Sequence, residues 1–396
     1  MKWRIVLYML IVVLFTGCSH NNPSLEGLAV IDVTKNYPEK EIVLTNIAEV
    51  TYVHLDSKSD DYLYRGTIKY ATENTIVVED VSSGSILLFS KDGAPKSRFN
   101  RYGEGPQEYQ GMGNPIVYDE ANDEVFINVH SKIQVYSSKG EYRRTIPLPS
   151  GVLINQMDIF DEQSFILFNA LSRMLKARQN LSEDKMDYPT HVIDSSFFLI
   201  SKTDGKVLDY IQMPASQNDL SVRPPSGGLI GTVITDIVKH AEGFLLCASE
   251  TDTVFLYDKN KNLTPIICKI PPVGNMDPKI ILISCLDVDK YQFVEVQTMS
   301  YYQIMQKENQ KYYMRDKKTG EVYQQRIVLP DYKGKKLIIN PGLSNFFHAN
   351  GTHFELDLSE LKLANRENKL GGKLKQLVAS LNELEDNNVF VFVKFK

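Results

Sequence analysis

The chain has 396 residues, with 44 lysines and arginines against 49 aspartates and glutamates and a formal net charge of −5. Its hydrophobic fraction of 43% and charged fraction of 23% suit a folded globular protein, which excludes a disordered chain, a collagen-like fibre and a multi-span membrane protein. The acidic balance speaks against nucleic acid as a partner.

Residues 1–17 read as an export signal. Lys2 and Arg4 make a short basic start, and residues 5–15 form an uncharged apolar run. That run is shorter than the ~20 residues of a membrane span. It ends in Leu14-Phe15-Thr16-Gly17-Cys18, the pattern of a bacterial lipobox, so Cys18 is the predicted acylated first residue of the mature chain. Acyl chains there supply the two hydrophobic signals that stable anchoring to a membrane requires. Residues 18–40 then read as lipidated cysteine and tether, and residues 41–396 as one domain. Cys247 and Cys268 lie within apolar runs and read as buried small hydrophobes rather than ligands or nucleophiles.

From residue 48 onward, short apolar runs alternate with turn residues. The clearest repeat is a hairpin that turns at a glycine or asparagine: Ile86-Leu87-Leu88-Phe89 before Gly93, Ile133-Gln134-Val135-Tyr136 before Gly140, and Phe197-Phe198-Leu199-Ile200 before Gly205. It returns as Val254-Phe255-Leu256-Tyr257 before Asn262 and as Tyr312-Tyr313-Met314 before Gly320. Two further strand-like runs precede each hairpin. Units of four short strands at this period predict an all-β fold, a β-propeller. Calling the strands A to D, five units span residues 62–330. A sixth takes its A and B strands from residues 344–356 and its C strand from residues 389–395. No D strand follows, but Val50-Thr51-Tyr52-Val53-His54-Leu55 matches one, and pairing the two ends closes the ring and removes its free edges. Six blades are predicted, with seven as the alternative.

Three features resemble the six-bladed β-propeller lipoproteins abundant in the Bacteroides lineage. They are residues 42–55, the motif Arg101-Tyr102-Gly103-Glu104-Gly105-Pro106-Gln107-Glu108-Tyr109, and the closing strand Val389-Phe390-Val391-Phe392-Val393-Lys394-Phe395. The family form of the middle motif is Gly-x-Gly-Pro-Gly-Glu-Tyr, and Gln107 replaces its last glycine. The resemblance implies a propeller in the cell envelope, in the outer membrane by the lipid anchor. It implies no particular chemistry.

The long connections of this parse, residues 100–113, 170–193, 213–230, 298–310 and 358–388, all fall at the B–C and D–A end of the blades. Loops longer than a hairpin needs are often functional. A helical insertion is predicted over about 358–387, with Leu370, Leu374, Leu377, Val378, Leu381 and Leu384 at helical spacing, capping the propeller. Residues 171–180 read as a second short helix with Arg173, Lys176 and Arg178 as a basic patch.

The motif loop gathers a guanidinium, two carboxylates and two phenols. Arg101, Tyr102, Glu104, Glu108 and Tyr109 are therefore candidate ligand contacts, suited to stacking on and hydrogen-bonding a sugar, or to a protein partner. The competing expectation for the loop is a structural corner between blades. The histidines are scattered, and no phosphate-binding loop, nucleophile elbow or dinucleotide fingerprint occurs, so neither metal nor cofactor nor catalytic residue is predicted. The expected channel entrances carry Asn114, Asn155, Gln156, Thr232 and Asn345, and Asp158, Asp236 and Asp287 are expected in turns. The function read from this is a non-catalytic, envelope-anchored binding protein, against the alternative of a glycoside hydrolase, lyase or lactonase working in the channel.

Overall fold

Runs rich in β-branched and aromatic residues, broken by turns that hold positive-φ glycines at 84, 93, 140, 205 and 320, fold into six sheets whose blade strands pair antiparallel. The structure is a computed structural model describing residues 28–57, 60–111, 115–170, 195–214, 222, 225, 235–248, 251–306, 309–342, 349–383 and 385–396. The signal, Cys18, the 171–180 helix, Asn114, Thr232, Asn345 and Leu384 lie outside the described residues, as does nearly all of the 170–193 and 213–230 loops.

Blade 1 comprises Gly66–Ala71, Thr75–Asp80, Ser85–Ser90 and Pro95–Phe99. Blade 2 comprises Ile116–Asp119, Glu124–Val129, Lys132–Tyr136 and Tyr142–Pro147. Blade 3 comprises Ile154–Ile159, Ser164–Asn169, Phe197–Ser201 and Val207–Ile211. Blade 4 comprises Thr235–His240, Gly243–Ala248, Thr253–Asp258 and Leu263–Ile270. Blade 5 comprises Lys279–Asp287, Tyr291–Met299, Gln310–Asp316 and Val322–Val328. In each, consecutive strands pair, so A–B and C–D turns share one end of the sheet and B–C and D–A connections the other.

Blade 6 is built from both ends of the chain. Gly351–Leu356 pairs with Val389–Phe395, which pairs in turn with Ala48–His54, Phe390 opposite Val53 and Phe392 opposite Thr51. The closing strand is buried at every position except Lys394, as its unbroken apolar run requires of a strand covered on both faces. The closure read from the sequence is thus present, and the seven-blade alternative is ruled out.

The segment assigned to the tether is shorter than expected. Ala29–Asp32 lies parallel to the D strand of blade 4, Ala29 opposite Ile267, and Glu39–Val43 lies parallel to the D strand of blade 5. Ile31 is fully buried there and Ile42 nearly so. Residues 28–54 therefore strap blades 4, 5 and 6 in order.

The insertion near the C-terminus is two helices rather than one. Helix α1 (Leu358–Arg366) is capped by the Asp357 carboxylate, which accepts from Glu360 N at 2.9 Å. Helix α2 (Gly372–Ala379) starts at Gly372, which has φ +50° and where a Cβ would sit 2.4 Å from Asp331 Oδ1. Leu361, Leu374 and Val378 are fully buried in the core shared by blades 4 to 6. Lys333 N donates to Lys369 O and Gly371 N to Asp331 O, so the hairpin is bound to the connection that leaves blade 5. Of the predicted apolar stripe, Leu370, Leu374 and Val378 are buried in that core, and Leu377 and Leu381 pack partly buried against it.

One contact recurs between neighbouring blades. The C–D turn glycines Gly93, Gly140 and Gly205 abut His54 O, the Phe99 side chain and Pro147 O, the final D-strand residues or their neighbours in the preceding blade; an added Cβ would come within 2.0, 2.4 and 1.9 Å of them. The D strands of blades 6, 1 and 2 thus end against the next blade's C–D turn.

Candidate functional site

The motif loop leaves blade 1 after Phe99 and closes on itself. Tyr109 N donates to Arg101 O at 3.0 Å and Gly103 N to Tyr109 O at 3.0 Å. The Glu108 carboxylate folds back to accept from Gly105 N at 2.8 Å. Tyr109 is buried, and its hydroxyl donates to Gly84 O at 2.6 Å in the B–C turn of the same blade. Burial pushes its phenol up to about 12. On the other side, the Gln134 amide donates to Pro106 O at 2.9 Å, Tyr136 OH to Gln107 O at 3.0 Å and Arg101 Nε to Gly140 O at 3.0 Å, all on blade 2. The loop is a rivet between two blades, as the structural-corner expectation had it.

It also forms one wall of a pocket of about 480 Å³ lined by Arg101, Gly105, Pro106, Gln107, Glu108, Glu141 and Tyr142. Of the five predicted contacts, Arg101 and Glu108 line it. Tyr102 is exposed but lies over Gly84, where a Cβ would come within 2.8 Å of its ring. Glu104 is exposed and lies outside the lining. Tyr109 is a buried anchor, which corrects its assignment as a ligand contact: its hydroxyl is committed to Gly84 and its ring packs edge-on to Tyr136, 5.8 Å between centroids. Glu141 and Tyr142 were missed. Their signal is positional: they follow Gly140, which like Gly93 and Gly205 faces the preceding blade's D-strand end.

The channel holds what the sequence placed in turns. Asp158 and Asp236 are buried side chains that bridge the inner strands. Tyr70 OH of blade 1 donates to Asp158 Oδ1 at 2.7 Å on blade 3; Lys239 Nζ of blade 4 lies 3.2 Å from Asp158 Oδ2 and 3.1 Å from Tyr70 OH. Burial first, then the Asp158 charge, raises the Tyr70 phenol far above its ordinary value. Gln156, still half-buried at the strand start, donates to Asp236 Oδ1 at 2.7 Å, and Ser284 Oγ of blade 5 donates to Asp236 Oδ2. Beside Asp236, Glu295 is buried and pushed up to about 7, chiefly by desolvation and then by the Asp236 charge. Tyr312 OH lies 3.4 Å from it. Asp287 does sit at the A–B end of its strand, paired with Lys317 Nζ at 2.8 Å. Among the described residues no group of three or more His, Cys, Asp or Glu side chains is placed to hold a metal. Cys247, Cys268 and Cys285 are buried free thiols, and burial pushes all three up.

Six blades closed by pairing the two ends of the chain define a six-bladed β-propeller. Residues 19–202 match the family model DUF5128, a 6-bladed beta-propeller. A solved protein of Bacteroides fragilis NCTC 9343, whose name describes it as exported, is 16% identical, with 93% of this chain and 99% of that chain covered at a TM-score of 0.60. A DUF4221 member from Bacteroides vulgatus ATCC 8482 is 12% identical over 88% of this chain and 97% of that chain, TM-score 0.45. At 16% identity the likeness to the first of these is one of fold. No curated protein matches the sequence. The recognition of a propeller akin to those of the Bacteroides lineage holds. No helix among the described residues is long and apolar enough to cross a membrane.

Proposed function

We propose that this is a lipid-anchored propeller of the cell envelope, in the outer membrane, which binds a hydroxyl-rich ligand, a glycan, in the pocket between blades 1 and 2. The observation that carries this reading is the pocket itself. Its floor is fixed by the hydrogen bonds from Gln134, Tyr136 and Arg101 to backbone carbonyls, while the exposed side chains of Arg101, Gln107 and Glu141 offer donors and acceptors at its wall. A preformed polar rim with one aromatic, Tyr142, suits a sugar better than an apolar ligand. The site differs from the long-loop face read from the sequence in one respect: it combines a D–A loop with the C–D turn of the next blade.

The test is binding of a labelled oligosaccharide library to the purified protein. Glu141→Ala and Gln107→Ala should each weaken the selected ligand about tenfold, the cost of one hydrogen bond to a charged or polar partner at about 1.5 kcal/mol. Their melting temperatures should stay unchanged. Equal affinity in both variants would place the ligand elsewhere.

One observation favours the enzyme reading: the Asp236–Glu295 pair, in which one carboxyl is raised beside one that stays an acceptor, the division of roles a glycoside hydrolase uses. Hydrolysis of any glycoside that is lost in Glu295→Gln would support it.

A further inference from the structure

The chain is net −5, but its basic residues are not spread evenly. Residues 331–337 and 358–383 together carry eight lysines and arginines against four aspartates and glutamates. The fold joins these two segments. Tyr332 bridges Leu370, Lys333 N donates to Lys369 O and Gly371 N to Asp331 O, which sets Lys333 beside Lys369 and the start of α2. Helix α2 packs against Ala48–His54, the outermost strand of blade 6, so the hairpin lies on the outside of the ring.

Pairing within this patch removes the acids and leaves bases over. Glu360 pairs with Lys335 at 2.9 Å, Glu367 with Lys369 at 2.6 Å and Glu383 with Arg366 at 3.6 Å. The Asp331 carboxylate is turned to Gly372 and Tyr52. Lys362 Nζ is committed to the carbonyls of Val378 and Leu381 at the end of α2. Lys333, Lys336, Lys373 and Lys375 remain. All four are exposed, and among the described residues none of their side chains has an ion pair or a hydrogen bond. Four free ammonium groups on an acidic protein make a local positive field, the complement of an anionic surface.

Leu363 is 54% exposed on the outward side of α1, away from the buried Leu361 and Ala364 and one turn from Glu360, which ties this side of the helix to Lys335. A dissolved polyanion gains from the charge alone. A bilayer with anionic headgroups gains from both features, because its phosphates take the ammonium groups and its acyl boundary takes the leucine. We propose that the helical hairpin and residues 331–337 form a docking surface for an anionic lipid bilayer, with Lys333, Lys336, Lys373 and Lys375 on the headgroups and Leu363 between them. The surface needs neither an acyl group at Cys18 nor the pocket between blades 1 and 2, and so goes beyond the function proposed above. Where the chain is also acylated, it sets which side of the ring lies on the lipid.

The experiment uses the full chain with Cys18→Ser, which cannot be acylated, sedimented with vesicles of phosphatidylcholine alone or mixed with phosphatidylglycerol. Binding is expected to the mixed vesicles only, and it should fall as salt is added. Lys333→Gln, Lys336→Gln, Lys373→Gln and Lys375→Gln should each weaken it about fivefold, the factor for about 1 kcal/mol per lysine at a charged membrane. Leu363→Ser should weaken it as well. A control with the same charge change at the exposed C–D turns, Lys91→Gln with Lys139→Gln, Lys259→Gln and Lys318→Gln, should bind like the parent. Melting temperatures of all variants should match the parent, so that a loss reads as binding. Equal sedimentation with both vesicles, or an equal loss in the control, overturns the proposal. Displacement by a soluble polyuronate, with Leu363→Ser binding like the parent, would make the partner a dissolved polyanion and overturn the lipid assignment. If the acylated chain sediments with both vesicles while Cys18→Ser sediments with neither, the anchor stands and this surface falls.

Discussion

Lys239 stands over the ring of Tyr70, its Nζ 4.2 Å from the centroid, although the two residues are 169 positions apart and come from opposite blades. With Asp158 they close the channel near the A–B end of the inner strands. The cation faces the π-cloud, the phenol donates to the carboxylate, and the ammonium neutralises it.

That triad makes an ordered prediction. Lys239→Met should destabilise the fold by about 3–5 kcal/mol, because it leaves Asp158 buried without a counter-charge. Tyr70→Phe removes one hydrogen bond and leaves the ion pair, and should cost about 1–2 kcal/mol. Urea denaturation of both variants checks the order; the reverse order would mean the ion pair is not what holds the channel shut.

The motif loop separates structure from recognition. Tyr109→Phe strands Gly84 O in a buried site and should cost about 1–3 kcal/mol. Tyr102→Ala, at a ring half in solvent, should cost less than about 1 kcal/mol. Thermal melts distinguish the two directly.

Glu295 gives a pH signature. Its folded value near 7 exceeds the ordinary value of 4.5, so the folded protein holds this proton more tightly than the unfolded chain. Its contribution is therefore most favourable below about pH 4.5 and is lost as the pH rises through 7. Glu295→Gln cannot ionise. Its stability relative to the native protein should rise between pH 5 and pH 8, by an amount of the order of 3 kcal/mol. A difference that stays flat across this range would show that Glu295 is solvated or paired.

The strap is a structural element rather than a leash. Ile31→Ala should cost about 2–4 kcal/mol, the usual cost of truncating a buried isoleucine. A solvent-exposed tether residue would cost nothing. Chemical denaturation of the mature domain decides between them.

The hairpins were legible because they are local. A strand such as Ser85–Ser90 and a turn such as Gly93 are specified within ten residues, by a continuous apolar run and by the φ of +95° that glycine adopts. Ring closure was legible by elimination, since a C strand without a D strand leaves an edge that must be paired. The parallel strands of the strap were not: Ala29–Asp32 is four residues long, and its partner lies more than two hundred residues away. The break between α1 and α2 falls at Gly371 and Gly372, and the close approach of Asp331 shows why glycine is needed at 372.

The sequence by itself therefore determined the repeated four-strand unit and the closure of the ring, because the one depends on short-range periodicity and the other on an edge that must be paired; the structure settled six blades against seven. Tertiary structure alone decided the roles of single residues. Tyr109 became an anchor and Arg101 a pocket wall although they share one loop, since blade 2 supplies their partners. Asp158 and Asp236 moved from expected turns to a buried network, because a charge is tolerated inside a ring only where another blade brings its counterpart. Burial and pairing are properties of the closed ring, and no window of sequence contains them.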